Sequence, residues 1–304
     1  MTDKVRPPFP EVFDNTMLSC ARSCLRKFEI EFMMHYRGEN VNLVAGKAFA
    51  KGCEVARHAY YFDGTSEADA VAKGVQALLI EYGSFDPPVG HVKTAERMAG
   101  ALIYYFDKFS MSNQKFAPIK IGDKNAIEFS FANPLPIQHP VTGDPLLYSG
   151  RADMIATFGG AGQFLFDEKT TTQLGASWSR QWDLRGQFTG YVWGAREWGL
   201  DVKGAVIRGV SILKNSYDSA ECITYRSQWQ VDLWMKQTLR TIRTIMECWE
   251  EGFFDYSFAD ACASYGGCPY RTACMSKPDS AEAWLATSYQ KRPWNPLNLE
   301  EKVA

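Results

Sequence analysis

Asp153, Asp167 and Lys169 carry the side-chain types that hydrolysis of a phosphodiester needs. Carboxylate oxygens bind hard divalent cations such as Mg²⁺, and a nearby lysine steadies charge on the attacked phosphate. Asp167 and Lys169 are separated by a single residue, so their side chains lie on the same face if this segment is a strand. The residue types and their spacing therefore predict a metal-dependent hydrolytic site.

Apolar runs on either side of a glycine-rich turn predict how the two aspartates meet. Residues 154–158 and 164–166 have the composition of β-strands, and Gly-Gly-Ala-Gly-Gln lies between them. An antiparallel hairpin places Asp153, near the start of the first strand, beside Asp167, near the end of the second.

Chance is the alternative, because an acid two residues before a lysine is common in surface turns. The same spacing occurs at residues 201–203 and 300–302, but neither copy follows an apolar strand with a second carboxylate placed opposite. Only the copy that begins at Asp167 is also followed by a predicted helix carrying Gln187 and Tyr191. The full set of residues therefore favours a functional site.

This constellation resembles the PD-(D/E)XK nuclease superfamily, and within it the RecB-like branch that includes iron-sulfur CRISPR-associated exonucleases and phage relatives. The resemblance extends from about Thr16 to Cys274. It implies an α/β fold with a restriction-endonuclease-like core, in which helices flank a mixed sheet. A helical N-terminal part and a Cys-rich iron-sulfur loop near the C-terminus complete the expected architecture.

The resemblance also implies roles for the residues around the hairpin. Asp153 and Asp167 are expected to bind Mg²⁺ or Mn²⁺, with the backbone carbonyl of Glu168 completing part of the coordination sphere. Lys169 is expected to position or activate the attacking water.

The predicted helix after the hairpin matches the family's Gln-x-x-x-Tyr motif at Gln187 and Tyr191. In the family this motif lies beside the site and contacts DNA or supports the catalytic groups. Other aromatic residues of the helix, Trp182, Trp193 and Trp198, could stack on bases, although packing explains them as well.

Two positions depart from the family pattern. Ala152 stands where the superfamily name has proline, a substitution that this branch tolerates. Ala50 stands where members usually carry a histidine metal ligand after a Gly-x-x-x spacing, and alanine cannot bind metal. Glu54 and His58 follow Ala50 at helical spacings and could substitute as ligands, but a solvated helix face explains them equally well.

Three cysteines lie close together near the C-terminus, at Cys262, Cys268 and Cys274, in a stretch rich in glycine and proline. Iron-sulfur clusters and structural zinc are normally held by four ligands, so a fourth is needed. Cys24 begins Cys-Leu-Arg-Lys-Phe, which resembles the Cys-Pro-Arg-Lys-Phe segment of the iron-sulfur members. Those members hold a [4Fe-4S] cluster with one cysteine before the core and three after it, so the resemblance implies such a cluster here, and we expect it to act as a structural staple.

The cysteines also admit alternative assignments. Zinc competes with the cluster, although the chain contains no Cys-x-x-Cys pair. Cys20 lies one helical turn before Cys24 and competes with it as the fourth ligand. Burial without any ligand suits Cys53, Cys222 and Cys248. Because the N-terminus does not read as a secretory signal, we expect reduced cysteines and a cytoplasmic protein, in the host cytoplasm for a phage member.

Composition excludes some function classes and leaves others open. With 304 residues and 46% hydrophobic content, the chain can bury a substantial core. No window of about 18 residues is free of charges, so no membrane association is expected. A net charge of -2 gives no support for nucleic-acid binding, which would need local basic patches. Candidates for such a patch, which solvated helix faces would also explain, are Arg22, Arg26, Lys27, Lys47, Lys51, Arg57, Arg180 and Arg185.

These residues need a framework of helices and strands. We predict an irregular lead-in over 1–14, one nuclease domain over 15–275 and a surface tail over 276–304. The domain comprises a helical part at 15–112, the catalytic α/β core at 113–226, and a helix with the iron-sulfur loop at 227–275. Periodicity predicts helices at about 16–36, 44–62, 66–82, 90–111, 177–198 and 228–251, with strands at 126–131, 205–213 and 221–226 beside the hairpin.

The expected function is a DNA exonuclease or end-processing nuclease of recombination, repair or replication, and phage members of the branch make a phage origin one implication. Its substrate would be single-stranded DNA or DNA with free ends, with a recombination or replication protein as partner. Ala50 keeps a second hypothesis open. In it, the protein retains the iron-sulfur fold as a DNA-binding or complex-assembly protein and has lost efficient catalysis.

Overall fold

The computed structural model describes residues 6–38, 40–113, 116–122, 124–258, 260–263 and 267–297. The chain divides into two compact units, each assembled from separate stretches. The first unit combines residues 1–38, 132–150 and 232–304, and the second combines residues 39–131 and 151–231. All of the predicted catalytic residues belong to the second unit, and all of the predicted cluster cysteines belong to the first.

The helices follow the apolar periodicity of the sequence. Within the described residues the α-helices are α1 (Asn15–Ser23), α2 (Leu25–Phe28), α3 (Val41–Tyr61), α4 (Glu67–Tyr82), α5 (Ala95–Lys108), α6 (Ala176–Arg180), α7 (Gly186–Glu197), α8 (Gln228–Glu251), α9 (Arg271–Met275) and α10 (Pro278–Ser288). A π-helical turn, Glu29–Met33, continues α2.

The strands are concentrated between α5 and α8. In the same described stretches they are β1 (Val12–Phe13), β2 (Tyr36–Arg37), β3 (Phe116–Pro118), β4 (Lys120–Ile121), β5 (Lys124–Asn125), β6 (Ile127–Gln138), β7 (Pro145–Phe158), β8 (Gln163–Thr171), β9 (Val202–Ile212), β10 (Tyr217–Tyr225) and β11 (Gln290–Lys291).

In the second unit, the strands form a mixed sheet in which β8 is central. β7 and β8 are the predicted antiparallel hairpin, with Met154 opposite Phe166. β8 runs parallel to β9, because α6 and α7 carry the chain back across the sheet, and β9 is antiparallel to β10. β3 and β6 both pair with β7 on its other side.

Helices cover both faces of this sheet. Val210 and Ile212 of β9 pack into the core formed by α3, α4 and α5. On the opposite face, Trp178 of α6 lies against Gly209, where any side chain would collide with the indole ring. The predicted α/β architecture, a mixed sheet flanked by helices, is therefore confirmed at this level.

The helical layer is held together by close backbone approach. A Cβ atom at Gly74 would lie 2.6 Å from the carbonyl oxygen of Gly52, so the two glycines let α3 and α4 cross at short range. Ser66 caps α4, accepting a hydrogen bond from the backbone N–H of Asp69 at 3.2 Å.

The first unit has its own apolar core. Ile30, Tyr36, Tyr270 and Leu285 are buried together, and Cys268 packs against them. The Tyr270 hydroxyl donates to the Tyr36 carbonyl at 2.8 Å, which joins the start of this unit to its C-terminal helices. β1 pairs in parallel with the beginning of β7, and β2 pairs with β11.

Three predicted elements differ from the structure. The helix predicted over 16–36 breaks at Cys24, whose backbone is extended. The helix predicted over 177–198 is two helices, α6 and α7, separated by a turn. The predicted tail contains α10, which begins at Pro278 because proline suits the first turn of a helix.

No helix in the described part of the chain is long and apolar enough to cross a membrane.

Candidate active site

The two aspartates lie where the β7–β8 ladder ends. The last backbone pair is Met154 with Phe166, and these residues are the sequence neighbours of Asp153 and Asp167. At the next step, the Asp153 carboxylate accepts the backbone N–H of Glu168 at 2.9 Å. A side-chain oxygen thus replaces the strand partner of this N–H, and the carboxylates of β7 and β8 are brought together on the same face.

Two further predicted residues, Lys169 and Gln187, contact Asp167, and Tyr191 contacts Gln187. Lys169 forms an ion pair with its carboxylate. From α7, the Gln187 amide donates to Asp167 Oδ2 at 3.3 Å and contacts the Tyr191 hydroxyl at 3.2 Å. The structure therefore brings together all of the predicted catalytic residues, which come from the hairpin and the helix after it.

Burial and like charge shape the electrostatics of this cluster. Burial raises the pKa of Asp153, and the nearby carboxylates of Asp167, Glu168 and Glu128 raise it further. Burial also raises the pKa of Asp167, against the opposing effect of Lys169. The carboxylates thus repel one another in a poorly solvated place, which is a position that a divalent cation would stabilise.

Lys169 keeps its proton in this setting. Burial disfavours its charged form, but the carboxylates of Asp167 and Asp153 outweigh burial and raise the pKa of Lys169. A lysine in this state supplies positive charge and hydrogen-bond donors. Its ammonium group is a partner for anionic oxygen atoms on this face of the sheet.

The Glu168 side chain points to the opposite face of β8. It pairs with Arg57 of α3 and accepts a hydrogen bond from the Tyr105 hydroxyl of α5 at 3.1 Å. Burial alone would raise the pKa of Glu168, but the Arg57 guanidinium prevails and lowers it to about 2. A buried ion pair therefore fixes the residue whose backbone N–H holds Asp153.

This network corrects one prediction. Arg57 is only 3% exposed, so it is not the surface DNA contact proposed from composition. A signal was present in the sequence, because Arg57 lies four residues after Cys53 on the apolar stripe of α3. A charged residue on such a stripe implies a buried partner, but the helix pattern does not indicate that this partner is Glu168.

α3 runs close to the acidic residues, although the roles proposed for two of its side chains remain predictions. Glu54 has a side chain 17% exposed and pairs with Lys51 at 3.3 Å. Its neighbour Cys53 is close enough to Glu168 and Asp153 for their charges to add to burial in raising its pKa. His58 is more exposed and pairs with Asp63 at 3.4 Å.

A second ion pair lies beside Asp153 and was not predicted. Arg151 precedes Asp153 by two residues on β7, so both side chains share a face. The Arg151 Nε atom lies 3.0 Å from Glu128 Oε2, and Glu128 has a side chain that is 7% exposed. Glu128, near the start of β6, has a φ of 55°, which is a left-handed conformation. The sequence contains no pattern that predicts this conformation.

The arginine and tryptophan candidates for DNA contact around α6 and α7 differ in solvent exposure. Arg180 and Arg185, which flank the turn between α6 and α7, are exposed. Trp182 and Trp193 are 5% and 9% exposed, so packing accounts for these two rings. Trp198 is 54% exposed.

In the first unit, Cys24, Cys262 and Cys268 are each close enough to Cys274 to affect its thiol. Burial raises the pKa of Cys274, Arg26 lowers it, and the thiols of Cys268, Cys24 and Cys262 each raise it. The backbone N–H of Cys268 donates to the Cys262 carbonyl at 3.0 Å. All eight cysteines are free thiols.

The thiols are gathered without converging on one point. Among the described residues, no group of three or more His, Cys, Asp or Glu side chains is arranged to hold a metal ion. Residues 264–266 of the cysteine loop lie outside the described residues.

Comparisons with known proteins leave the family open. No protein-family model and no curated protein matches the chain. The crystal structure of SSO0001 is 12% identical over 75% of this chain and 84% of that chain, with a TM-score of 0.30. An alkaline exonuclease, LHK-Exo from Laribacter hongkongensis, is 11% identical over 67% of this chain and 94% of that chain, with a TM-score of 0.28. At scores this low, neither likeness carries an argument about this chain.

Proposed function

We propose that the protein is a metal-dependent DNA nuclease that hydrolyses phosphodiester bonds, and specifically an exonuclease acting on single-stranded DNA or DNA ends. The observation that supports this function best is the grouping around Asp167. Lys169 and Gln187 both contact its carboxylate, and Asp153 lies one step beyond the end of the strand ladder. The same spacing at Asp201 and Lys203 gives only an exposed ion pair in the described part of the chain.

Asp153 and Asp167 would hold Mg²⁺ or Mn²⁺ in this proposal. Mg²⁺ retains several water ligands and needs only one or two protein carboxylates, so this donor set fits. The bound cation would polarise the phosphate and lower the pKa of a bound water. The Glu168 carbonyl fits a third position, because both main-chain groups of a strand residue point towards the same neighbouring strand, and the Glu168 N–H points to Asp153.

The other residues position the reactants. Lys169 holds its proton, so we assign it to orienting the attacking water and balancing phosphate charge. Gln187 fixes the Asp167 carboxylate through its amide and is itself braced by Tyr191. These contacts hold Asp167 in one orientation, which matters because misplaced ligands cost rate.

We also propose that Cys24, Cys262, Cys268 and Cys274 hold a [4Fe-4S] cluster. The proximity of the four thiols supports this assignment, because the charge of each of the other three affects Cys274. Cys20 is instead buried with its thiol 3.7 Å from a Glu31 carboxylate oxygen, which favours Cys24 as the fourth ligand. Thiolate ligands are the usual partners of such clusters.

A DNA-binding or assembly protein without catalysis is the second candidate function. Ala50 favours it, because this position of α3 offers no metal ligand. The proposed enzyme therefore has to operate with the carboxylates of β7 and β8 as its main ligands.

The deciding experiment follows the degradation of end-labelled single- and double-stranded DNA by anaerobically purified protein in Mg²⁺ or Mn²⁺. We expect Asp167→Asn and Lys169→Ala to lower the rate by at least about 100-fold, since they remove a metal ligand and a positioned charge. Asp201→Asn and Lys203→Ala provide matched controls. That pair has the same acid-x-Lys spacing, forms a surface ion pair at 2.6 Å, and should be dispensable.

Equal activity in the site variants and the controls would show that the cleavage does not come from this site. If the wild type binds DNA and cleaves none in either metal, the binding-protein alternative replaces the enzyme.

A further inference from the structure

Arg151 is an exposed cation held at the edge of the acidic cluster. Its side chain is 43% exposed, although its Nε atom is fixed by a carboxylate that is almost completely buried. Among the described residues, no other ion pair or hydrogen bond of Arg151 accompanies this one. The contact through Nε leaves the two terminal amino groups of the guanidinium for another partner.

Glu128 holds the guanidinium of Arg151 through its carboxylate. Its side chain is 7% exposed, so it is poorly suited to meeting substrate itself. Its φ of 55° is unusual for a residue with a side chain, and such conformations persist only where the surroundings enforce them. The buried carboxylate therefore acts as an anchor that limits the orientations of Arg151.

The charges on this face of the sheet indicate what Arg151 could bind. Glu128, Asp153 and Asp167 contribute three carboxylates, and Lys169 and Arg151 contribute the two cations described for the face. A phosphate approaching the aspartates meets net negative charge until a divalent cation is bound. Arginine is suited to that approach, because its planar fork matches two phosphate oxygens at once.

We propose that Arg151 binds a backbone phosphate of the DNA substrate, with Glu128 as the residue that positions it. The inference rests on the proposed nuclease function and adds a substrate-binding residue to that site. A backbone phosphate carries no base identity, so this contact contributes affinity and register without sequence preference.

The test is the salt dependence of DNA binding by the full-length protein. A fluorescent oligonucleotide is titrated by anisotropy in Ca²⁺ over a range of KCl concentrations. For Arg151→Gln we expect Kd to rise about tenfold at moderate salt, and the slope of log Kd against log salt to fall by about 1, as for the loss of one phosphate contact. The change should be the same for oligonucleotides of different sequence.

A second variant separates this contact from general effects of charge or folding. Arg151→Gln combined with Glu128→Gln removes both charges of the pair, so the net charge of the chain is unchanged. It should show the same loss of slope. Asp201→Asn combined with Lys203→Gln is the matched control, since Lys203 is also 43% exposed and is paired with an acid, and its slope should equal that of the wild type.

An unchanged slope in both Arg151 variants would overturn the inference. A wild type that does not bind DNA would overturn the inference and the nuclease function together. If Arg151→Gln lowers the slope but Lys169→Ala cleaves as fast as the wild type, the phosphate contact stands and the assigned catalytic site fails.

Discussion

At the scale of single residues, Asp153 illustrates a conflict between function and stability. It is an acidic residue placed near the carboxylates of Asp167, Glu168 and Glu128, and its pKa is raised first by burial and then by these neighbours. Its ionised form is therefore unfavourable in the folded protein when no cation is bound. Carboxylates whose pKa is perturbed in this way are typical of functional sites.

We expect Asp153→Asn to stabilise the protein and to abolish nuclease activity. Asparagine can still accept the Glu168 N–H, while the buried charge is lost. Because the pKa of Asp153 is raised on folding, its contribution to stability is favourable below the unfolded pKa of about 3.9 and is lost as pH rises through the folded pKa. At pH 7 the variant should therefore have a larger free energy of unfolding than the wild type, because it carries no carboxylate whose ionised form is disfavoured on folding.

Urea unfolding in the presence of a chelator, repeated from pH 7 down to pH 4, measures this difference. The advantage of Asp153→Asn should shrink towards zero at the acidic end. Asp201→Asn is the control, because its side chain is 77% exposed and should show no such trend. A destabilised Asp153→Asn at pH 7 would contradict the assignment of repulsion at this position.

The sequence predicts the inward-facing residues better than the residues that support them. Asp153, Asp167 and Lys169 could be placed on one face from strand alternation, since a period of two fixes orientation once the hairpin is known. No sequence pattern indicates a role for the Glu168 side chain, because any residue type can occupy the middle of an acid-x-Lys motif. Its partner Arg57 is distant in sequence, and proximity of that kind depends on the packing of α3 against the sheet.

At the scale of elements, β8 serves two purposes through its two faces. Asp167 and Lys169 face the proposed reaction, whereas Glu168 is clamped to α3 by Arg57 and to α5 by Tyr105. The position of β8 relative to these helices therefore depends on a buried ion pair. Removing one partner of such a pair leaves an uncompensated charge.

We expect Arg57→Met to cost about 3–5 kcal/mol of unfolding free energy, because Glu168 remains buried and charged. The double variant Arg57→Met with Glu168→Met should recover most of this loss, since two apolar residues can replace a buried pair. Lys47→Met, which breaks an exposed pair with Glu81, should cost less than about 1 kcal/mol. Equilibrium denaturation of all three variants tests the expectation, and an Arg57→Met as stable as Lys47→Met would disprove it.

Helix boundaries show where local patterns fail. Apolar periodicity continues through Cys24, so it predicts one helix where the structure has a break. A residue distant in sequence stabilises this break, because the Arg26 N–H donates to the Asp255 carbonyl at 3.0 Å. The Cys24 thiol also accepts the N–H of Lys27 at 3.4 Å and caps α2. Neither bond can be inferred from the periodicity of residues 16–36.

At the scale of the whole molecule, the proposed catalytic residues and the proposed cluster cysteines lie in different units. The hairpin and α7 belong to the second unit, and the four cysteines belong to the first. The individual helices and strands could be predicted because each has a regular pattern, whereas their arrangement as a mixed sheet flanked by helices is implied by the family resemblance. The division into two units could not be predicted, because each unit is made of stretches that are separated in sequence.

We expect Cys24→Ser and Cys268→Ser to lose iron and visible absorbance, because a cluster needs all of its ligands. As the cluster is proposed to be a structural staple, these variants should also unfold at lower temperature. Cys222→Ser is the control, since this residue belongs to the second unit and its thiol contacts the Ser179 carbonyl.

Metal analysis and thermal unfolding of anaerobically purified protein measure both effects. Bound zinc without iron in the wild type would replace the cluster with a zinc site. Loss of absorbance from Cys268→Ser with an unchanged unfolding temperature would argue against the staple.

The buried pair between α3 and β8 should leave a record in natural variation. A change at position 168 alone would leave the charge of Arg57 buried and unpaired, and a change at position 57 alone would do the same to Glu168. We therefore expect positions 57 and 168 to co-vary among homologues, with charge lost or reversed at both together. Position 168 would then change only together with position 57, whereas the proposed reaction would keep positions 167 and 169 fixed.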